Sequence, residues 1–215
     1  MTTMIAAITG LAAEARLLTR LGWRVEVGGG TPAGAEAAAL RAVSHGATAL
    51  ISFGLAGGLD PAWRPGAILV PAAVIEGGAL YRTEPALSAL LGGADSEMLY
   101  AGDSIAAEPA QKQRIFQQSQ CCAIDLESGA VARVAAARGL GFAALRAICD
   151  PAERALPKAA LAALDSQGGM QIARIAWSVI RAPGQIPGLL AVGRDAAKAK
   201  AALVSRVNEI LLRLR

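Results

Sequence analysis

Acids placed beside apolar runs are the residues in this chain whose types and spacing could do chemistry. Asp125 and Glu127 lie in Ala123-Ile-Asp-Leu-Glu-Ser-Gly-Ala-Val-Ala132, and Asp150 closes Leu145-Arg-Ala-Ile-Cys-Asp-Pro151. Glu127 opens an expected helix, and Asp150 sits where an apolar strand ends before a proline. In an α/β sheet, side chains at strand ends and helix starts face the crevice in which such folds bind small molecules. Either segment alone would more often be a cap or a turn, because acids favour the first helical turn and Asp-Pro marks turns. A third segment shifts that balance. In Leu50-Ile-Ser-Phe-Gly-Leu-Ala-Gly-Gly-Leu-Asp-Pro61 a strand runs into Gly54, Gly57 and Gly58, where backbone can approach a ligand closely.

Other chemistries lack their parts. The single histidine, His45, falls at an expected helix end and reads as a cap or surface residue rather than a general base. A Ser-His-Asp hydrolase is therefore not expected, and no Gly-x-Ser-x-Gly elbow occurs. Gly28-Gly-Gly-Thr-Pro-Ala-Gly34 nearly matches a dinucleotide fingerprint, but Ala33 replaces the third glycine and Pro32 makes it a turn; no Gly-Lys-Ser/Thr is present either. The three cysteines have no zinc-type spacing, so neither a metal nor another cofactor is expected. What remains is work that acids and a shaped pocket can do. Cleaving an N-glycosidic bond is such work, since its oxocarbenium-like transition state needs a protonated leaving group, a held sugar and a positioned nucleophile, as in two-carboxylate glycoside hydrolysis.

Taken in order, Ser52-Phe-Gly-Leu-Ala-Gly-Gly-Leu59, Asp125-Leu-Glu-Ser-Gly-Ala-Val-Ala132 and Arg146-Ala-Ile-Cys-Asp150 resemble the purine nucleoside phosphorylase and nucleosidase superfamily, across roughly residues 4 to 155. Within it the chain looks most like the hopanoid-associated phosphorylases, also described as adenosylhopane nucleosidases. Their sequences continue past the acid with a run similar to Asp150-Pro-Ala-Glu-Arg-Ala-Leu-Pro157. The resemblance implies that Asp150 protonates the purine ring nitrogen and that Glu127 accepts hydrogen bonds from the ribose hydroxyls. Asp125 and Ser128 would be support. Glu14 matches the N-terminal acid that activates the attacking water, and Arg146 could pair with it. Gly54, Leu55, Ala56, Gly57 and Gly58 would form the ligand-facing turn, with Leu126 beside Glu127, and Gly102-Asp-Ser-Ile105 would lie over the base. Ile105 stands where several nucleosidases place an aromatic residue, and Leu55 where they have a small hydroxyl residue.

Hydrolysis or phosphorolysis turns on whether phosphate can be held beside the sugar. Arg16, Arg64 and Arg82 are conceivable donors, but none stands in a phosphate motif of the family, and a carboxylate at Glu14 would repel phosphate. Hydrolysis is the expectation. The implied reaction is removal of adenine from a 5′-substituted adenosine, with adenosylhopane as substrate and ribosylhopane as product. The alternatives are methylthioadenosine or adenosylhomocysteine as a soluble substrate, phosphorolysis of a purine nucleoside, and, from another class, a non-catalytic nucleoside-binding or membrane-surface module.

With 215 residues, 54% of them apolar, the chain can bury a substantial core. Charge divides it near Pro151: residues 1–150 carry 11 Lys/Arg and 13 Asp/Glu, and residues 151–215 carry 10 and 4. A basic tail suits a solvated face or an anionic membrane surface. Nucleic acid is not expected, because the aromatic residues are few and scattered. The expected partners are thus a small-molecule or lipid-linked adenine nucleoside and an anionic membrane, with a second copy of the chain as a further candidate. Cysteine usage fits a reducing cytoplasm, with the inner face of the cell membrane as the peripheral alternative. Glu14 and Arg16 interrupt the apolar N-terminus, which reads as a first strand rather than a signal peptide. No uninterrupted apolar run reaches the roughly 18 residues of a membrane span.

These acids need a frame, and the pattern supplies one. Strands are expected at Met4–Thr9, Val25–Val27, Ala49–Phe53, Ala67–Ile75, Glu97–Ala101, Cys121–Ile124 and Phe142–Ile148. Helices are expected at Leu11–Leu21, Pro32–Ser44 and Glu127–Arg138, with a loop or short helix around Leu80–Gly93. This alternation predicts an α/β fold of three layers, helix-sheet-helix, with a central mixed, mostly parallel sheet. Residues 1–157 would form the nucleoside phosphorylase-like catalytic domain, and residues 158–215 a helical extension packed on it. In its final helix Leu203, Val207, Ile210 and Leu214 share one face. The alternative for the extension is an interfacial surface of Ile172, Ile175, Trp177, Val179, Ile180, Ile186, Leu189 and Leu190 flanked by Arg174, Arg181 and Arg194.

Overall fold

The computed structural model describes residues 3–157 and 186–214. Strand β1 (Ile5–Thr9) leads into α1 (Ala12–Leu18), whose first turn is closed by Glu14 reaching back to accept from the Leu11 N–H at 2.9 Å. After a 3-10 turn, Thr19–Leu21, come β2 (Arg24–Val27) and α2 (Pro32–Ser44). Thr31 caps α2 by accepting from the Gly34 N–H, and Pro32 occupies the first turn, where its missing donor costs nothing. Then follow β3 (Ala49–Gly58), β4 (Ile68–Leu69), β5 (Ala73–Glu76), β6 (Ala79–Arg82) and α3 (Pro85–Leu91). The remainder is β7 (Met98–Ala101), α4 (Pro109–Ser119), β8 (Ala123–Asp125), α5 (Ser128–Ala137), β9 (Gly141–Asp150) and the long α6 (Ile186–Arg213).

The nine strands among the described residues form one mixed sheet. β1 pairs parallel with β2 and β3, β3 parallel with β9, and β7 parallel with β5 and β8. The antiparallel contacts are β5 with β6, β4 with β9, and the end of β3 with β8. β3 and β9 are buried on both faces, which is why they read as continuous apolar runs. One face is covered by α2 and α5, whose Ala35, Ala38, Ala42, Ala130 and Ala135 let the helices sit close to the strands. The other is covered by α1, α3 and α6 through Leu18, Leu87, Leu91, Leu203, Val207 and Ile210. The architecture is the expected three-layer α/β fold.

Several local expectations give way to tertiary pairing. The glycines of β3 are not a turn: the strand runs through Gly54 and Gly57 to Gly58 because β9 pairs with it as far as Gly57 and β8 takes up Gly57 and Gly58. The expected strand Ala67–Ile75 is two, broken where Pro71 has no N–H to give a ladder. The expected short helix within Leu80–Gly93 is α3, but it is preceded by an unexpected strand, β6, which returns along β5 through Gly77-Gly78. Leu203, Val207 and Ile210 are buried, whereas Leu214, assigned to the same face, lies in the last turn and is 46% exposed. Of the interfacial surface, Ile186, Leu189, Leu190 and Arg194 are on α6, and Ile172, Arg174, Ile175, Trp177, Val179, Ile180 and Arg181 lie outside the described residues. No described helix is long and apolar enough to cross a membrane.

Because α6 completes one face of the core, truncating its buried side should cost far more than truncating its outer side. Leu203→Ala is expected to lower unfolding free energy by about 2–5 kcal/mol. Leu212→Ala, at a residue 70% exposed, should change it by less than about 0.5 kcal/mol. Urea denaturation of the two variants measures the contrast, and equal effects would contradict this packing.

Candidate active site

Arg146 lies in the middle of β9 with no exposed surface at all. A guanidinium there must be matched by acceptors, since an unpaired buried charge is strongly destabilising. Asp125, at the end of β8, ion-pairs with its Nε at 2.6 Å, and Glu127 with its Nη1 at 3.1 Å. Ser52 on β3 accepts from Nη2, and Ser128 on α5 accepts from Nε and Nη2. Asp125 also caps α5 by accepting from the Glu127 and Ser128 N–H groups at 3.3 and 3.1 Å, and Ser128 Oγ donates to its second oxygen. One acid therefore fixes both the helix start that carries Glu127 and the arginine that Glu127 meets.

Glu14 approaches the same place from α1. Its Oε2 accepts from the Leu11 N–H and its Oε1 from the Leu55 N–H at 3.1 Å. It does not ion-pair with Arg146, as the sequence suggested it could, because Asp125 and Glu127 already hold the guanidinium and the backbone of β3 holds Glu14. Both groups still face Gly54. A Cβ there would lie 2.6 Å from Arg146 Nη1 and 2.7 Å from Glu14 Oε1, so the strand can pass between them only as glycine. A side chain at Gly10, just after β1, would collide with the carboxylate of Glu127.

Asp150 lies further along β9. It is four residues beyond Arg146 on β9, roughly 13 Å along an extended strand. An irregularity between Ala56 and Gly57 shifts the register so that Gly57 faces Asp150, with a hypothetical Cβ 3.9 Å from its Oδ2. Such bulges often re-aim a side chain beside a site. Lys112, fully buried on α4, ion-pairs with Oδ2, while Oδ1 is buried with no hydrogen-bond partner among the described residues.

Burial governs the proton affinities. It pushes Glu127 up to about 7 against the pull of Arg146, with Asp125 and Glu14 adding repulsion. Burial also raises Glu14, opposed by the Leu11 N–H and Arg146, and raises Asp150, opposed by Lys112. The charge of Arg146 does not offset the burial of both Glu14 and Glu127. Burial thus raises the proton affinity of Glu14 and Glu127 beside Arg146 and of Asp150 further along β9.

The phosphorylase superfamily matches residues 7–89 and 97–181, most of the chain. The chain belongs to this superfamily. No curated protein matches the sequence significantly. Among solved superfamily-like structures, 5′-methylthioadenosine/S-adenosylhomocysteine nucleosidase from Helicobacter pylori is similar at 14% identity and TM-score 0.68, covering 97% of this chain and 99% of that one. S-adenosylhomocysteine nucleosidase from Streptococcus pyogenes is similar at 17% identity and TM-score 0.64, over 95% and 97% of the two chains. Futalosine hydrolase of Helicobacter pylori follows at 14% and 0.65, over 83% and 97%. These structures share the fold of this superfamily chain.

The structure brings Glu14, Glu127, Arg146, Gly54, Leu55, Asp125 and Ser128 together at one end and Gly57 and Asp150 at the other. Ala56 is buried and Leu126 half-buried within the same strands and turn. Gly102 docks on the Asp125 carbonyl, while Ser104 is exposed and Ile105 half-buried in the loop beyond it. Arg16 and Arg82 are exposed, Arg64 pairs with Glu153, and His45 caps α2 at the surface. Sequence reading missed Ser52's role under Arg146, Gly10 and Lys112. Lys112 sits in Gln111-Lys-Gln-Arg114, which looks like a solvated charge run; Pro109, a helix-start signal, was the available clue that α4 would carry it. Among the described residues no group of three or more His, Cys, Asp or Glu could hold a metal ion.

Stability should register the buried acids. Glu127 is raised in the folded state, so its contribution is fully present below pH about 4.5 and is lost as pH rises through about 7, a loss on the order of 3 kcal/mol. The protein is expected to be more stable to urea at pH 5 than at pH 8, and Glu127→Gln should flatten that difference. Equal pH dependence in wild type and variant would contradict the buried, proton-binding Glu127.

Proposed function

We propose that this chain hydrolyses the N-glycosidic bond of a 5′-substituted adenosine. The observation that carries the reading is the placement of the acids along the β3–β9 pair: Glu14 and Glu127 beside Arg146, read as the sugar end, and Asp150, whose Oδ1 has no partner among the described residues, read as the base end. Glu127, held by Arg146, accepts from the ribose hydroxyls and offsets the positive charge that develops on the sugar. Glu14, held by two backbone N–H groups, orients and deprotonates the attacking water. Asp150, whose proton affinity is raised by burial, is the acid that in its protonated form gives a proton to a purine ring nitrogen as the bond breaks. Water adds to the anomeric carbon, and the purine leaves with the bonding pair.

Hydrolysis is favoured over phosphorolysis by charge. The buried arginine among the described residues is already matched by Asp125 and Glu127, while Arg16 and Arg82 are exposed and Arg64 pairs with Glu153. Phosphate would enter a pocket of carboxylates without a cation of its own. Likeness to methylthioadenosine/adenosylhomocysteine nucleosidases over nearly the whole chain supports a soluble 5′-thio nucleoside ahead of the hopanoid substrate implied by the Asp150–Pro157 run. The hopanoid reading keeps one supporting feature: Ile186, Leu190 and Leu212 are exposed on α6, within the basic part of the chain. Anionic vesicles would then recruit the protein through this helix.

Incubation with methylthioadenosine, adenosylhomocysteine or adenosylhopane in phosphate-free buffer should release adenine and the free sugar from the preferred substrate. Strict dependence on phosphate, with a sugar 1-phosphate product, would overturn hydrolysis. Asp150→Asn should lower kcat by about a hundredfold or more, the usual worth of a general acid. Near-normal turnover in that variant would remove Asp150 from the mechanism.

A further inference from the structure

Lys112 is fully buried, yet no part of the reaction as described uses it. A lysine rarely enters a core unless its three N–H donors are all received. Here Nζ ion-pairs with Asp150 Oδ2 and donates to the carbonyl oxygens of Pro151 at 2.8 Å and Arg154 at 3.0 Å. All three acceptors belong to the stretch that begins at the end of β9, so α4 grips that stretch from one side. Arg154 in turn ion-pairs with Asp195 on α6, which fastens the stretch from the other.

This geometry distinguishes the two oxygens of Asp150. Oδ2 accepts from an ammonium, so a proton there would oppose an N–H pointing at the same atom. The proton of the acid form belongs on Oδ1, the buried oxygen with no partner among the described residues. We propose that Lys112 is a positioning residue for the general acid: it turns the proton-bearing oxygen of Asp150 toward the leaving base and keeps the acid strong enough to give that proton up. The proposal rests on the hydrolytic reading above. Burial raises the proton affinity of Asp150, and the hydrogen bond and charge of Lys112 pull it down again. Lys112 from α4, Arg154 and Cys149 from the β9 end and Asp195 from α6 are the charged or titratable groups felt by Asp150 or feeling it.

The test compares the full-length wild type with Lys112→Met, which keeps the stem without the charge, and Lys112→Gln, which keeps a donor without the charge. Circular dichroism checks their fold. The activity needs protonated Asp150, so kcat falls on the alkaline side as pH passes its pKa. Loss of a cation at hydrogen-bond distance should raise that pKa by about one to three units. The alkaline limb should therefore move upward in both variants, with kcat down about tenfold or more in Lys112→Met, less in Lys112→Gln, and KM within about threefold, because a misdirected proton transfer is a transition-state loss. An unmoved alkaline limb in either folded variant overturns the proposal, and so does loss of the fold in both, which would assign Lys112 to stability. Wild type that releases no adenine from any nucleoside would instead defeat the hydrolytic reading, an outcome visible before any variant is made.

Discussion

Arg146 carries a guanidinium that no solvent reaches, and its need for acceptors ties together elements that are far apart in the chain. Ser52 comes from β3, Asp125 from β8, and Glu127 and Ser128 from the start of α5. A planar group with five donors demands a particular arrangement of acceptors, which a lysine at this position would not impose. Three carboxylates compete around one cation, because Glu14 joins Asp125 and Glu127 in its field. Burial, with added repulsion from Asp125 and Glu14, lifts the proton affinity of Glu127 to about 7 against the pull of Arg146. The same burial that makes the cluster costly makes it chemically responsive.

β9 sets the spacing of the two groups. Arg146 and Asp150 lie on one strand, so the arginine cluster and Asp150 keep a fixed separation, and β3 runs alongside with glycine opposite each of them. Gly54 lets the strand pass between Arg146 and Glu14, and the irregularity at Ala56/Gly57 brings Asp150 into register with Gly57. Backbone takes the place of side chains where a ligand would need room. A substituent at Gly54 would intrude on both Arg146 and Glu14, whereas a Cβ at Gly57 would only touch Ile124 and Asp150 at ordinary contact distance.

The layers on either side hold this strand pair in place and are not equal in their reach. α2 and α5 pack with small alanines and bring Glu127 to Arg146. α6 covers the opposite face and, through Asp195 and Arg154, reaches the stretch that follows Asp150. Packing of the last helix and geometry of the acid end are thus mechanically linked.

By itself the sequence determined the layer order, since apolar runs alternating with helical periodicity admit few other arrangements; it marked Glu127, Arg146 and Asp150 by their places in the ordered motifs, and Glu14 by its match to the N-terminal acid that the resemblance implies. It also marked α2 from end to end, because Thr31, Pro32 and His45-Gly46 are local signals. Only the tertiary structure decided that the glycines of β3 are strand, because β9 and β8 supply the pairing that Gly lacks in isolation. It alone decided which carboxylate meets Arg146: distance in space chose Asp125 and Glu127 over Glu14. Lys112 was hidden for the same reason. Its neighbours in sequence are polar and solvent-like, whereas its acceptors lie at the end of β9, 38 and more residues away, and no local pattern records a contact of that range.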